Sequence, residues 1–358
     1  MYYLKIINLS VNENDLPYPS KTERNIFSMV NASIRKGEIF GILGPSGCGK
    51  TIFLKTIAGL IKPCEGQIFK DGVDITFLSP NKRKVAMVFQ NIALYPHLKN
   101  IENIEFPYVL VHQTENIERE KLKEIAVMLH IDEEKILQKK PAFSSMGEKQ
   151  RVAIGKALAS NPDILLLDEP LSNIEEGLRN EIRHNLKKYL KAREITTLYV
   201  SHNQVEIGIF ADNIAVMADG RFQQTGSYEE LYNDPKTLFV SLYIGEIPSN
   251  YLDKNEVKFL TSSRISYFLT IRPEECSISK EEEDSILIAG KVTSIEKFIQ
   301  HNKKLAMIEY NNKPFGILLP IDYDVNLGQE IEIYIPLKKA KFFDDKNAKI
   351  PERIYNLW

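Results

Sequence analysis

The stretch that decides the fold reads Gly44-Pro45-Ser46-Gly47-Cys48-Gly49-Lys50-Thr51. It fits the pattern G-x-x-x-x-G-K-[ST], in which a glycine-rich loop wraps phosphates with its backbone N–H groups. An apolar run over residues 38–43 precedes the loop as a predicted buried strand, and residues 51–58 follow it with helical spacing. The loop therefore opens a helix, whose N-terminus favours an anion. This context predicts a phosphate-binding loop in an α/β sheet.

Two side chains of the loop have predicted roles in binding a nucleoside triphosphate with Mg²⁺. Lys50 would reach the β- and γ-phosphates, and the Thr51 hydroxyl would ligate the metal. Ile52, the next residue of the helix, completes the predicted nucleotide-binding segment. The alternative is a glycine-rich turn before an ordinary helix, and the strand and helix that flank the motif argue against it.

Three further predicted strands end in polar residues suited to phosphate chemistry. In chain order these residues are Gln90, the pair Asp168 and Glu169, and His202. Because ligands bind beyond the carboxyl ends of parallel strands, we expect all of them at the same sheet edge as the loop. Asp168 would hold Mg²⁺ and Glu169 would polarise the attacking water. Taken singly, each has a plain structural explanation, but four such strand ends together favour a common site.

Bulk properties exclude several classes of protein. The chain has 358 residues and a net charge of −2, from 46 basic and 48 acidic residues, which does not suggest a nucleic-acid-binding surface. The first residues lack the pattern of a signal peptide, and no apolar run approaches the roughly 18 residues of a membrane span. The three cysteines have neither metal nor disulfide spacing. We expect a reduced cytosolic protein without nucleic-acid partners.

The pattern divides the chain in two. Residues 1–240 alternate β-like and helical stretches, as a parallel α/β domain would, with a helical subdomain at about residues 91–160. From residue 241 to 358, short β-like runs separated by turns predict a small all-β, barrel-like domain.

The quoted stretches resemble, in order and spacing, the Walker A, Q-loop, Walker B and H-loop of the ATP-binding subunit of an ABC transporter. Residues 91–98, 212–221 and 228–235 resemble the importer subgroup that takes up sugars, polyols and glycerol phosphates. Residues 271–274 and 342–344 resemble landmarks of the oligonucleotide/oligosaccharide-type (OB-like) regulatory domain of maltose-type importers. The resemblance covers essentially the whole chain and is most specific up to about residue 240.

The resemblance implies a mechanism. Two ATPase subunits would pair head to tail, sandwich two ATP molecules with Mg²⁺, and energise solute import. Glu169 would act as general base and His202 would contact the γ-phosphate, whereas Gln90 would sense the nucleotide, help to hold the metal and couple to the membrane subunit. The implied partners are transmembrane permease subunits, a second ATPase subunit and, indirectly, an external solute-binding protein. The implied location is the cytoplasmic face of the membrane, as a peripheral subunit.

An aromatic residue near the N-terminus of such subunits usually stacks on adenine. Tyr18 is the candidate here, and Phe27 is the alternative, because this segment carries an insertion relative to the family pattern.

The signature sequence, usually Leu-Ser-Gly-Gly-Gln, departs from the family pattern. Ser145 and Gly147 survive and are predicted to contact the nucleotide of the opposite subunit. Met146 replaces a glycine where the backbone approaches the γ-phosphate, and Glu148 brings a carboxylate near the phosphates. The D-loop reads Leu171-Ser172-Asn173-Ile174-Glu175, with Glu175 where aspartate is usual. In the H-loop, the usual aspartate is replaced by Asn203, which follows His202.

The signature and the D-loop both serve the opposite subunit's ATP, while the elements for this subunit's own ATP are nearly intact. The sequence therefore favours a heterodimer with unequal sites over a homodimer that tolerates drift. A second functional class is an ATP-binding regulatory or interaction subunit with little turnover. A third is an ABC ATPase of DNA repair or translation, which the single ATPase domain and near-neutral charge disfavour.

Overall fold

The computed structural model describes residues 2–16, 24–110, 118–261 and 267–350. The chain divides into two compact units, Met1–Ser227 and Tyr228–Trp358. None of the helices within these described ranges combines the length and apolar character that crossing a bilayer requires.

The division between the units falls before the predicted boundary at residue 240. The segment after Ser227 pairs within the second unit: Thr237 forms a β-bridge with Ala348, and the Leu238 N–H donates to the Asn347 carbonyl at 2.9 Å. Because these partners are distant in sequence, the local pattern near residue 240 does not reveal them.

The described residues of the first unit contain ten strands in two sheets. In chain order they are β1 (Leu4–Asn12), β2 (Asn25–Ile34), β3 (Ile39–Leu43), β4 (Glu65–Lys70), β5 (Val73–Asp74), β6 (Val85–Val88), β7 (Ile164–Asp168), β8 (Thr196–Val200), β9 (Asn213–Ala218) and β10 (Arg221–Gly226). The smaller sheet is antiparallel in the order β2-β1-β4-β5, and the larger runs β10-β9-β3-β8-β7-β6.

The larger sheet is parallel except for β10 at its edge. Every residue of β3, β7 and β8 is buried, as expected for central strands that are covered on both faces. The carboxyl ends of β3, β6, β7 and β8 therefore share one edge of the sheet, which confirms the arrangement expected from the sequence.

Six α-helices lie within the part of the first unit that the structure describes. They are α1 (Lys50–Ala58), α2 (Asn100–Leu110), α3 (Arg119–Met128), α4 (Met146–Ala159), α5 (Glu176–Ala192) and α6 (Gln204–Phe210). The helices α2, α3 and α4, with a π-helical turn at Glu133–Leu137, occupy the stretch where the sequence predicts a helical subdomain.

Arg83 fixes the carboxyl end of α1, the helix that carries the loop. Its side chain is buried and donates hydrogen bonds to four backbone carbonyls, those of Thr56, Ile57, Thr76 and Leu78. Two of these carbonyls belong to the last turn of α1, whose C=O groups have no N–H four residues further along the helix to bond to. A buried guanidinium thus anchors the loop-bearing helix.

The second unit combines short helices with two antiparallel sheets. Its elements are α7 (Tyr228–Asn233), α8 (Leu238–Tyr243), β11 (Asn250–Leu252), α9 (Lys254–Thr261), β12 (Phe268–Ile271), β13 (Ser285–Phe298), β14 (Lys303–Tyr310), β15 (Lys313–Pro320), β16 (Glu330–Pro336) and β17 (Lys341–Phe343). The sheets run β11-β12-β17 and β15-β14-β13-β16, and one apolar core lies between them. The domain therefore contains the short strands that the sequence predicts, together with α9, a helix that it did not predict.

Candidate functional site

The loop between β3 and α1 has the geometry of a phosphate cradle. Gly49, just before α1, has φ = +108°, a left-handed conformation that side chains rarely adopt. The buried Lys50 ammonium donates to the carbonyls of Gly44 and Pro45, at 2.8 and 2.9 Å. The ammonium therefore lies across the loop that the sequence assigns to phosphates. Phosphate oxygens, like these carbonyl oxygens, accept hydrogen bonds, so the same ammonium could donate to a bound phosphate.

Thr51 and Asp168, both predicted to hold Mg²⁺, lie together. The Thr51 hydroxyl donates to Asp168 Oδ2 at 2.8 Å. Asp168 is the last residue of β7 and is only 2% exposed. Burial raises its pKa, and the Thr51 hydrogen bond opposes that rise. A hydroxyl and a carboxylate are hard oxygen donors, the type that Mg²⁺ prefers, so these residues fit the metal.

Glu169 lies between two polar side chains from neighbouring strand ends. Gln90 Nε2 donates to Glu169 Oε2 at 3.2 Å, and His202 Nδ1 lies 3.0 Å from Glu169 Oε1. The Glu169 side chain is 18% exposed and that of His202 is 67% exposed. Gln90 thus bonds to the predicted general base rather than to the Thr51–Asp168 pair, although it lines the same cavity.

One cavity of about 260 Å³ brings together most of the predicted residues, but His202 does not line it. Its lining is Ile26, Ser46, Gly47, Gly49, Lys50, Thr51, Ile52, Gln90, Asp168, Glu169 and Val200. A second cavity of about 410 Å³ shares Ile26, Ser46 and Gly47 with it and is lined further by Glu13, Arg24, Asn25, Pro45, Cys48, Asp219 and Gly220. The sequence did not point to the contributions from β2 and from the β9–β10 turn. The two cavities together offer room beside the loop for more than a phosphate chain.

The residue that stacks on adenine stays a prediction. Tyr18 lies outside the described residues. The alternative, Phe27, is only 1% exposed and packs edge-on against Phe53, with ring centroids 5.8 Å apart. Phe27 is therefore a core residue and not available for stacking. Alternation along β2 turns its neighbour Ile26 toward the cavities instead.

The signature residues begin α4. Ser145 is the N-cap of this helix, and its hydroxyl accepts a hydrogen bond from the Glu148 N–H. Met146 is 55% exposed. Neither Ser145 nor Gly147 lines either of the two cavities beside the loop. The structure therefore does not bring these two residues to the nucleotide site of their own subunit.

Two further departures, Asn203 and Glu175, stand at helix N-termini and differ in capping. The side chain of Asn203, the N-cap of α6, accepts a hydrogen bond from the Glu206 N–H at 2.9 Å. Glu175 precedes α5 and makes no side-chain capping bond. Sequence reasoning missed Gln150, which is 1% exposed and bonds to the turn that follows β7.

Comparisons with known proteins agree with this geometry. The ABC transporter family matches residues 27–172. The chain is 42% identical to the trehalose/maltose import ATP-binding protein MalK of Thermococcus litoralis over 350 residues, 89% of this chain and 94% of that protein. It is 34% identical to the glucose import ATP-binding protein GlcV of Saccharolobus solfataricus over 343 residues, 88% of this chain and 93% of that one.

Another relative is named for the import of a different class of solute. The chain is 37% identical to the spermidine/putrescine import ATP-binding protein PotA of Thermotoga maritima over 301 residues, 78% of this chain and 81% of that protein. Among solved structures, the ATP-binding cassette MJ0796, in a dimeric post-hydrolysis state bound to ADP and Pi, superposes with a TM-score of 0.56 at 29% identity. The match covers 63% of this chain and 98% of that one. This chain belongs to the ABC transporter family, among its import ATP-binding subunits, and is an ATPase that uses ATP and Mg²⁺.

Proposed function

We propose that this subunit hydrolyses ATP to energise the import of a carbohydrate or related polyol, as a peripheral subunit bound to permease subunits at the cytoplasmic face of the membrane. The permease would receive the solute from an external binding protein. The MalK relative, at 42% identity over 89% of the chain, supports the carbohydrate class. The polyamine relative is less similar and matches less of the chain.

The observation that carries the ATPase role is the placement of Glu169 between Gln90 and His202, beside the Thr51–Asp168 pair. Glu169 would orient and deprotonate the attacking water, and His202 would contact the γ-phosphate. Thr51 and Asp168 would hold Mg²⁺, which neutralises charge that develops on the phosphates. Lys50 would add a fixed positive charge at the same place.

Each catalytic site would be completed by a second ATPase subunit. Ser145 and Gly147 line neither cavity of their own site, which supports a role toward a partner's nucleotide. The departures Met146, Glu148 and Glu175 also lie in elements that would face the partner. We therefore favour a heterodimer in which a partner with a standard signature completes the site that holds Glu169.

The Glu169→Gln variant tests the catalytic assignment and the pairing together. The variant should bind ATP without hydrolysing it, which traps any closed dimer that forms. Size-exclusion chromatography with light scattering then measures the mass with and without Mg-ATP. A protein that binds ATP but remains a monomer supports the heterodimer, and an ATP-dependent homodimer contradicts it. The double variant Lys50→Ala, Glu169→Gln is the control, because weakened nucleotide binding should abolish any ATP-dependent shift.

A repaired signature gives a second test of pairing. If Met146 and Glu148 limit self-association, Met146→Gly combined with Glu148→Gln should raise the ATPase rate of the purified protein. An unchanged rate would favour a homodimer in which Ser145 and Gly147 suffice.

The solute class needs the assembled transporter. A tagged subunit purified with its permease and reconstituted into vesicles should show ATPase activity that is stimulated by the binding protein loaded with a sugar, polyol or glycerol phosphate. Stimulation by a polyamine or Fe³⁺ alone would contradict the carbohydrate class.

Because the signature departs from the family pattern, the alternative of an ATP-binding regulatory subunit with little turnover also has a test. If transport in such vesicles survives Glu169→Gln, the subunit binds ATP without driving transport by its own turnover.

A further inference from the structure

Gln150 occupies a junction between three functional segments. It lies in α4, one turn after the signature residues, and its side chain is 1% exposed. Its Nε2 donates to the backbone carbonyl of Glu169 and to Ser172 Oγ, both at 3.1 Å. Its Oε1 accepts from the Asn173 N–H at 3.0 Å. The orientation of the amide is fixed, because a carbonyl only accepts and a backbone N–H only donates.

The backbone that Gln150 holds is in an unusual conformation. Glu169 has φ = +49°, in the left-handed region that residues with side chains rarely adopt. Its N–H donates to the Val200 carbonyl at 3.0 Å, and its carbonyl accepts from both Gln150 and Ser172 Oγ. Such a conformation persists only where surrounding contacts over-determine it. The direction of the Glu169 carboxylate therefore depends on the bonds to its own backbone.

The same helix touches the D-loop at its N-terminus. A Cβ added to Gly147 would lie 2.9 Å from the Asn173 carbonyl oxygen, so the two backbones are in close contact. Gly147 and Gln150 are three residues apart and share one face of α4. A shift of the α4 N-terminus would thus reach both the D-loop and the Glu169 carbonyl.

We infer that Gln150 is a positioning residue for Glu169, and that it links the carboxylate to the signature helix and the D-loop. This inference rests on the proposed function, in which Ser145 and Gly147 dock on a partner's ATP. When Ser145 and Gly147 dock on the partner's ATP, the position of α4 would be fixed. Gln150 would then hold the Glu169 backbone in place in the subunit's own site. One buried amide would couple the two nucleotides of the dimer.

The first test is the Gln150→Leu variant in the ATP-hydrolysing transporter complex. Leucine fills a similar volume but offers no hydrogen bond, so kcat should fall by about tenfold to a hundredfold, as small misplacements of catalytic groups do. The KM for ATP should change by less than about twofold, because the loop that binds the phosphates is untouched. The Ser172→Ala variant is the matched control, since it removes the other side-chain donor to the Glu169 carbonyl while Gln150 remains, and its loss should be smaller.

A Gln150→Glu variant separates positioning from simple packing. One of its oxygens would still accept from the Asn173 N–H, but the other, when ionised, would repel the Glu169 carbonyl and would bond to it only when protonated. Burial raises the pKa of such a carboxyl, so the ratio of its kcat to that of wild type should increase as pH is lowered from about 8 to about 6. A ratio that does not change with pH would overturn the inference.

The remaining outcomes are distinguishable. A wild-type kcat in Gln150→Leu, or a raised KM with unchanged kcat, would also overturn the positioning role. Glu169→Gln measured in parallel reports on the proposed function: if it retains wild-type turnover, that function fails. If it loses turnover while Gln150→Leu retains it, only the positioning role of Gln150 fails.

Discussion

The carboxylate of Glu148 accepts a hydrogen bond from the backbone N–H of Ser145 at 2.8 Å, and the Ser145 hydroxyl accepts one from the backbone N–H of Glu148 at 3.2 Å. This reciprocal arrangement is a capping box, which satisfies two N–H groups at the start of a helix. Lys139 Nζ lies 3.8 Å from the same carboxylate. Glu148, which departs from the usual signature, therefore has a structural role within its own subunit.

Removal of this cap should destabilise the first unit. Glu148→Ala should lower its free energy of unfolding by about 1 kcal/mol, because the Ser145 N–H loses its partner and the helix N-terminus loses a negative charge. Glu148→Gln should cost less, since an amide oxygen still accepts that bond. Urea unfolding of the three proteins measures the order.

Glu175→Ala provides the control for that series. Glu175 also carries a negative charge at the start of a helix but makes no side-chain capping bond. Its removal takes away that charge but no capping bond, so it should lower the unfolding midpoint by less than Glu148→Ala does. Equal losses from Glu148→Ala and Glu175→Ala would show that the hydrogen bonds of the capping box contribute nothing measurable.

The buried Asp168 should make the nucleotide-free protein less stable than an uncharged variant. Burial raises the pKa of this carboxyl above its unfolded value of about 3.9. The penalty is therefore fully present above the folded pKa and vanishes as pH falls below the unfolded one. In EDTA at neutral pH, Asp168→Asn should melt at a higher temperature than wild type, and the difference should shrink toward acid pH.

Mg-ATP should reverse this order. Wild type gains stability from a ligand that it binds tightly, whereas Asp168→Asn lacks the carboxylate that would hold the metal. Differential scanning fluorimetry with EDTA and then with Mg-ATP follows both effects. If Asp168→Asn melts below wild type in EDTA, the buried carboxylate stabilises the nucleotide-free protein and the prediction is wrong.

Much of the site was predictable because its residues follow directly from buried strands. Residues such as Glu169 and His202 come after apolar runs, and parallel neighbours bring such ends to one edge. The direction of each side chain does not follow from that rule. Gln90 is at the predicted edge, but its side chain bonds to Glu169 and not to the predicted metal ligands Thr51 and Asp168. Local geometry determines which of these neighbours it reaches.

Other features depend on contacts that no local pattern encodes. Gln150 reaches a carbonyl 19 residues further along the chain, so its role requires the packing of α4 beside the turn after β7. In β2, the sequence allows either Phe27 or its neighbour Ile26 to face the nucleotide. Successive side chains of a strand point to opposite faces, and the sequence does not say which face is buried. The contact between Phe27 and Phe53 in the core buries Phe27 and leaves Ile26 on the opposite face.

Arg272 should be the main link between the helices and the sheets of the second unit. It is 6% exposed, and its guanidinium lies 4.0 Å from the centroid of the Tyr232 ring. It donates to the carbonyls of Tyr232 and Ile244, in α7 and just after α8. Burial lowers its pKa without removing the charge, since an arginine side chain stays protonated in proteins.

The Arg272→Met variant should therefore lower the free energy of unfolding of the second unit by about 2–4 kcal/mol, from a lost cation–π contact and carbonyls left without donors. Arg272→Lys keeps the charge but not the planar guanidinium. Its free energy of unfolding should lie between those of wild type and Arg272→Met. Limited proteolysis should cut first within residues 228–249 of Arg272→Met. ATP binding should persist, because the described residues that line the two nucleotide cavities all belong to the first unit. Equal protease resistance of all three proteins would show that α7 and α8 are held by other contacts, such as the pairing of Thr237 with Ala348.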